Sequence, residues 1–139
     1  MKESLCLATG VFGSLIAGLF GGWDASMISL LIFMGVDYIT GLIVAAVGKS
    51  PKTKSGSLKS EIGWKGLAKK CVILLLVLVA VRLDITIGTS YIRDAVCISF
   101  MVNELISIIE NAGILGIPIP DAVKNTIELL KTKGENKND

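Results

Sequence analysis

Histidine is absent from this 139-residue chain. That absence excludes a Ser-His-Asp or Cys-His nucleophilic apparatus and any histidine-ligated metal site. Cysteine is scarce: Cys6, Cys71 and Cys97 are an odd number, and all three stand in apolar runs. They read as small buried apolar residues, not as a disulfide framework or a metal cluster. Neither enzymatic activity nor a cofactor is expected. Charge is also thin, at 19% of residues, and unevenly placed, while hydrophobic residues reach 52% and the mean hydropathy is +0.69. Small soluble folds leave much of their surface exposed and could not hide so much apolar area. The composition therefore points to a membrane protein.

The chain divides into four apolar segments. Residues 5–22 carry no charge over 18 positions, near the ~20 needed to span a bilayer. The opening "MKESLCLATG" has no A-x-A-like cleavage site before Trp23 and reads as a retained first span. Gly21-Gly22-Trp23-Asp24 reads as a turn with an interfacial aromatic. Residues 25–48 form the second segment, broken only by Asp37. The third, about 67–88, has just 11 charge-free residues between Lys70 and Arg82. It reaches spanning length if Lys69 and Lys70 snorkel at one end and Arg82 bends outward at the other. The fourth, about 91–112, carries Asn103 and Glu104 in its middle and should pack against protein. The expected fold is an all-α membrane protein with four transmembrane helices arranged as two helical hairpins. That transmembrane region covers 1–117. Residues 118–139 add a short amphipathic C-terminal helix and a polar, disordered tail "KGENKND" on the cytoplasmic side. Gly113, Gly116, Pro118 and Pro120 separate the two. In the C-terminal helix Ala122, Val123, Ile127 and Leu130 form the apolar stripe.

The basic residues set the orientation. Residues 49–66 form a cytoplasmic loop, and Lys49, Lys52, Lys54, Lys59, Lys65, Lys69 and Lys70 lie in or beside it, opposed only by Glu61. With four crossings, twelve Lys and Arg collect on one side and only Arg82 and Arg93 on the other. Both termini are therefore expected on the cytoplasmic side, with the chain crossing the membrane several times. The seven lysines are read as contacts to anionic lipid headgroups, at about 1 kcal/mol each near the surface. Nucleic acid is not an expected partner, because the loop is flanked by spans and holds few aromatics. "GKS" at 48–50 ends like a phosphate loop, but Ile43 stands where that pattern needs glycine.

Small residues and misplaced polar ones carry the functional signal. Gly10, Ser14, Gly18 and Gly22 recur every four residues, with Gly13, Ala17 and Gly21 beside them. Such rows permit close backbone approach where lipid supplies no hydrophobic drive. The approaching helix belongs either to another copy of the chain or to the second segment. Asp37 shares a face with Gly41 and Ala45, which invites another close approach. Ser99, Asn103, Ser107 and Asn111 form a polar line, flanked by Glu104 and Glu110, unfit for lipid. It either lines water or clasps another helix. No Lys or Arg is expected at the depth of Asp37 and Glu104. The reading is thus no midplane salt bridge within one chain, and an Asp37 carboxyl bonded to Asn103, Glu104 or backbone.

Three stretches resemble the toxin-secretion/phage-lysis holin family, the group that includes clostridial toxin-release holins. They are "MGVDYITGLIVAAVGK" (34–49), "GWKGLAKKCVILLLVLVAVRLD" (63–84) and "NELISIIENAGILGIPIPDAVK" (103–124). The resemblance covers roughly residues 25–132. It implies a small non-enzymatic protein that accumulates in the bacterial membrane, forms homo-oligomers and opens lesions. These release an endolysin or toxin, with no obligate direct contact, and cause host-cell lysis. Two other readings fit the residues without the resemblance. One is a small ion channel or proton-linked transporter subunit, which would conduct ions without passing proteins. The other is a structural membrane adaptor, which would depend on its C-terminal residues.

Overall fold

Every apolar segment becomes a helix in the computed structural model, which describes residues 1–136. The helices are α1 (Lys2–Leu19), α2 (Ala25–Ala46), α3 (Ser60–Ile87), α4 (Ile92–Ile114) and α5 (Asp121–Asn136). No strand occurs among the described residues. The Asp24 carboxylate accepts the Met27 N–H at 3.0 Å and starts α2 as an N-cap. No proline interrupts Ser60–Ile87, so the end of the lysine-rich stretch and the apolar run after it form one helix of 28 residues. At the start of α4, the buried Asp84 supplies the missing acceptors. Its carboxylate takes N–H groups from Ile92 (3.0 Å) and Arg93 (2.9 Å) and the Thr89 hydroxyl (2.7 Å). Beyond Pro118, the Pro120 carbonyl accepts the Val123 N–H and opens α5.

The core lies among α2, α3 and α4. Met27, Leu30 and Met34 of α2 meet Ile73 and Val77 of α3 and Cys97, Ile98 and Met101 of α4. Their spacing explains the assembly. On α2 the line Met27, Leu30, Met34, Asp37, Gly41 and Val44 alternates three- and four-residue steps. On α3 Gly63, Gly66, Lys70, Ile73, Val77, Ala80 and Asp84 do the same. Such lines stay on one helix face and suit shallow-angle packing. Ascending residues of α2 meet ascending residues of α4: Asp24 bonds to Arg93 and Thr40 to Asn111, so these helices run parallel. α3 runs antiparallel to both, since Tyr38 reaches Gly63 while Asp84 caps α4. α5 returns along α4 in the opposite sense, bringing Gly134 against Ile98.

Among the described residues two helices, α1 and α2, are long and apolar enough to cross a membrane by length and composition alone, against the four crossings expected. α3 and α4 fall short because Lys65, Lys69, Lys70, Arg82 and Asp84 interrupt one and Arg93, Asp94, Glu104 and Glu110 the other. Other expectations are corrected. The helix that carries the third segment begins at Ser60, ahead of the span expected from about 67. The first two segments do not pack as a hairpin: α1 is exposed along its length, with Ala17 its one buried residue. Lys133–Asn136 of the expected disordered tail are helical, and residues 137–139 lie outside the described residues. Cys6 and Cys71 are exposed, and only Cys97 is buried.

α1 is tied to the bundle through its turn. Gly21 and Gly22 take φ of +80° and +98°, a region where glycine carries no Cβ penalty. A Cβ on Gly21 would also stand 3.0 Å from the Arg93 Nε. The buried Arg93 guanidinium donates to the Phe20 carbonyl (2.6 Å), the Gly22 carbonyl (3.1 Å) and both Asp24 oxygens (2.6 and 3.1 Å). That bond from Arg93 holds the Asp24 carboxyl below its ordinary carboxylate range. A carboxyl lowered in the folded state contributes stability above its unfolded pKa, which fades as pH falls through the folded value. Asp24→Asn should therefore weaken the turn by about 1 kcal/mol at neutral pH, a figure reduced for the half-exposed carboxylate. Limited proteolysis between Phe20 and Ala25 should accelerate at pH 7, and the gap from the parent should close as pH falls below the carboxylate range.

Candidate functional site: a buried ion cluster

Lys70 stands nearly three turns inside α3, in line with Ile73, Val77 and Ala80, so its side chain points into the bundle. Its ammonium donates to Asp37 Oδ2 at 2.8 Å and to Glu104 Oε2 at 2.7 Å. The side chains of Lys70, Asp37 and Glu104 are only 13%, 14% and 4% exposed. The expectation of no salt bridge within one chain is thus overturned. Lys69 and Lys70 are adjacent but point about 100° apart around the helix. Lys69 is exposed, whereas Lys70 enters the seam and is not a headgroup contact.

Other polar groups surround the cluster. Ser107 lines the same cavity as the Asp37 carboxylate. The Asn111 amide donates to the Thr40 hydroxyl at 2.9 Å and more weakly to Asp37 Oδ1 at 3.4 Å. The Thr40 hydroxyl donates to the Asp37 carbonyl. No buried side-chain polar atom among the described residues lacks a partner. A cavity of about 340 Å³ adjoins the cluster, lined on its polar side by Asn103, Ser107, Glu110 and Asn111. Such a site is roomy and polar enough to hold water. One ammonium faces two carboxylates, so with all three ionised the cluster carries one surplus negative charge.

The polar line of α4 therefore divides. Glu104, Ser107 and Asn111 turn toward α2, while Ser99, Asn103 and Glu110 are exposed. The Ser99 hydroxyl donates to the Ala95 carbonyl of its own helix. Gly41 and Ala45 also face inward, Gly41 opposite Asn111. Tyr38 packs over Gly63 and Gly66, where a Cβ would stand 3.2 and 3.4 Å from its hydroxyl and ring atoms. Nothing lies within 4 Å of a Cβ placed on Gly10, Gly13 or Gly18, and Ser14 is exposed. Their row ends at Gly18, because Gly22 belongs to the turn. Lys49, Lys52, Lys54, Lys59 and Lys65 are outside the core, with Lys65 paired to Glu61 at 2.8 Å. No group of His, Cys, Asp and Glu that could hold a metal occurs among the described residues.

Removing one member of a buried ion group leaves the others uncompensated, at about 3–5 kcal/mol, whereas replacing all members is often neutral. Lys70→Met alone should therefore destabilise the bundle by about 3–5 kcal/mol. Adding Asp37→Asn and Glu104→Gln should restore most of that loss, as read by denaturant titration in micelles. Equal destabilisation of the single and triple variants would contradict the geometry.

The model of the bacteriophage holin family matches residues 14–132. The chain is 41% identical over 123 residues to an uncharacterized 14.9 kDa protein in the nagH 3' region of Clostridium perfringens, covering 87% of this chain and 88% of that one. It is 39% identical over 128 residues to the uncharacterized protein Lmo0128 of Listeria monocytogenes, covering 91% and 86%. A protein of Bacillus phage phi105 named probable holin is 27% identical over 123 residues, covering 87% and 84%. No solved structure matches. Two helices apolar enough to cross a membrane accompany this match, which covers the end of α1, all of α2, α3 and α4 with the ion cluster, and most of α5; the chain is a membrane protein and belongs to the bacteriophage holin family.

Proposed function

We propose that this protein is a holin: it oligomerises in the bacterial cytoplasmic membrane and opens lesions that release an endolysin or toxin, ending in host-cell lysis. The observation that carries this reading is the inverted polarity of the bundle. The outward faces of α1, α2 and α3 hold exposed Leu, Ile, Val and Phe, while Asp37, Lys70 and Glu104 are concealed inside. Lipid suits the outside. The inside becomes a wettable wall once several chains exchange their ion pairs across a common lumen.

In this reading α3 and α4 cross the bilayer together with α1 and α2. Pairing inside the bundle offsets the large penalty of isolated charges at that depth. Both termini and the 47–59 loop lie on the cytoplasmic side, where the exposed lysines meet anionic headgroups. The open row Gly10, Ser14 and Gly18 is the association face between copies, since no element of the same chain occupies it. A small channel would instead pass ions while retaining proteins.

Co-expression in bacteria with a cytoplasmic endolysin should give abrupt lysis at a defined time, followed by culture turbidity. Ion leakage with no lysis would favour the channel. Asp37→Leu should still insert but delay or abolish lysis, and unchanged timing would remove Asp37 from the mechanism. Gly10→Leu with Gly18→Leu meets open space, so the monomer should keep its stability while cross-linked oligomers become several-fold scarcer.

A further inference from the structure

We propose that α5 and lipid hydrocarbon compete for one face of α4. α5 covers that face while α4 is outside the bilayer and moves to the membrane surface when α4 crosses. The proposal rests on the reading that α4 is a membrane crossing.

α4 presents two different lines. Arg93, Cys97, Glu104 and Asn111 face the α1–α2 turn and the bundle, where the charges and amides are satisfied. The line Ala95, Ile98, Val102, Leu105 and Ile109 alternates three- and four-residue steps and is wholly apolar. Ile98 on that line touches α5: a Cβ on Gly134 would stand 3.3 Å from Ile98 Cγ2. Ile127 of α5 and Ile98 are only 8% and 5% exposed. Ile98 sits at the border of the core shared with α2 and α3, and the surface of α4 that meets α5 there is apolar and suited to acyl chains.

The outer side of α5 is not. Lys124, Glu128, Lys131, Lys133 and Glu135 are all exposed. Ile98 lies about 24 Å along α4 from Ile114, close to the ~30 Å thickness of the hydrocarbon layer. An α5 held antiparallel on a crossing α4 would set most of those charges at bilayer depth, exposed to hydrocarbon, with a 3.8 Å pair between Lys124 and Asp121. Charged side chains there are strongly disfavoured. Lipid can replace the contacts of Ile127 and Gly134, but it cannot solvate the lysines. At the headgroup level the same helix satisfies both sides, with Ile127 and Leu130 inward and the lysines toward anionic lipid. The proline-bearing connection at 115–120 is the joint for that movement.

The test uses the full chain with Cys6, Cys71 and Cys97 replaced by alanine and carrying Ile98→Cys with Gly134→Cys, sites close enough for a disulfide. It is synthesised cell-free, with or without phosphatidylethanolamine–phosphatidylglycerol vesicles, and then oxidised. Separate Ser90→Cys, Lys52→Cys and Gly134→Cys variants are labelled in vesicles with an impermeant maleimide. The expected result is a ready cross-link without vesicles and one at least tenfold scarcer with them. Ser90→Cys and Lys52→Cys should label from opposite sides, and Gly134→Cys from the side of Lys52→Cys. Opposite-side labelling with an undiminished cross-link in vesicles overturns the proposal and leaves the crossing of α4 intact. A cross-link absent without vesicles, or Gly134→Cys labelled from the side of Ser90→Cys, overturns it as well. If Ser90→Cys and Lys52→Cys label from the same side, the crossing fails and the proposal falls with it.

Discussion

The Lys70 ammonium, held between Asp37 and Glu104, is the contact on which the bundle depends. It joins α2, α3 and α4 at one level, in surroundings where a solitary charge would be untenable. Meeting that constraint dictates the neighbouring structure. α3 must begin well before Lys70, and it starts at Ser60. α2 and α4 must run parallel with Asp37 and Glu104 level. The Asn111 amide then donates to the Asp37 carboxylate and to the Thr40 hydroxyl, which itself bonds the Asp37 carbonyl, and together these fix the rotation of both helices. Apolar packing among Met27, Leu30, Val77 and Cys97 supplies burial but little directionality, whereas charge-assisted bonds have demanding geometry.

A second polar knot closes the other end. Arg93 and Asp84 sit where the α3–α4 turn meets the α1–α2 turn, and together they satisfy backbone groups from both. The core is therefore pinned at two levels and filled with apolar side chains between them. α1 and α5 lack comparable anchoring. α1 is attached through its glycine turn, and α5 rests on α4 by an apolar contact at a glycine. Elements with few buried contacts are the ones free to change partners at low free-energy cost. In the assembly proposed above, these peripheral helices are where contacts between copies would form, and the buried ion cluster is what those contacts would rearrange.

Helix positions, turn chemistry and the identity of the polar residues were legible in the chain alone. They rest on local rules: runs of apolar residues, glycine pairs, prolines after a helix, and carboxylates before one. Gly41, Ala45, Ser107 and Asn111 stood out in the chain because small or amide side chains in an apolar run serve close helix contact, and the structure sets them where α2 meets α4. The ion cluster was not legible as such. A lysine at the edge of an apolar run reads as a snorkelling end, and only the three-four spacing from Gly63 to Asp84 places Lys70 in the seam. Likewise the Gly10–Gly18 row cannot say whether its neighbour is the next helix or another molecule.

What the sequence by itself determined is therefore an all-helical chain with membrane-compatible segments, a basic loop and acids in forbidden places. Propensity and periodicity act over one or two turns, so these properties follow from neighbours in the chain. What only the tertiary structure decided is who meets whom: Lys70 with Asp37 and Glu104, Arg93 with the glycine turn, α5 against α4, and α1 held at its C-terminal turn. Those pairings span 33 to 73 residues. They are selected by the joint satisfaction of buried charge and packing, which no local pattern encodes.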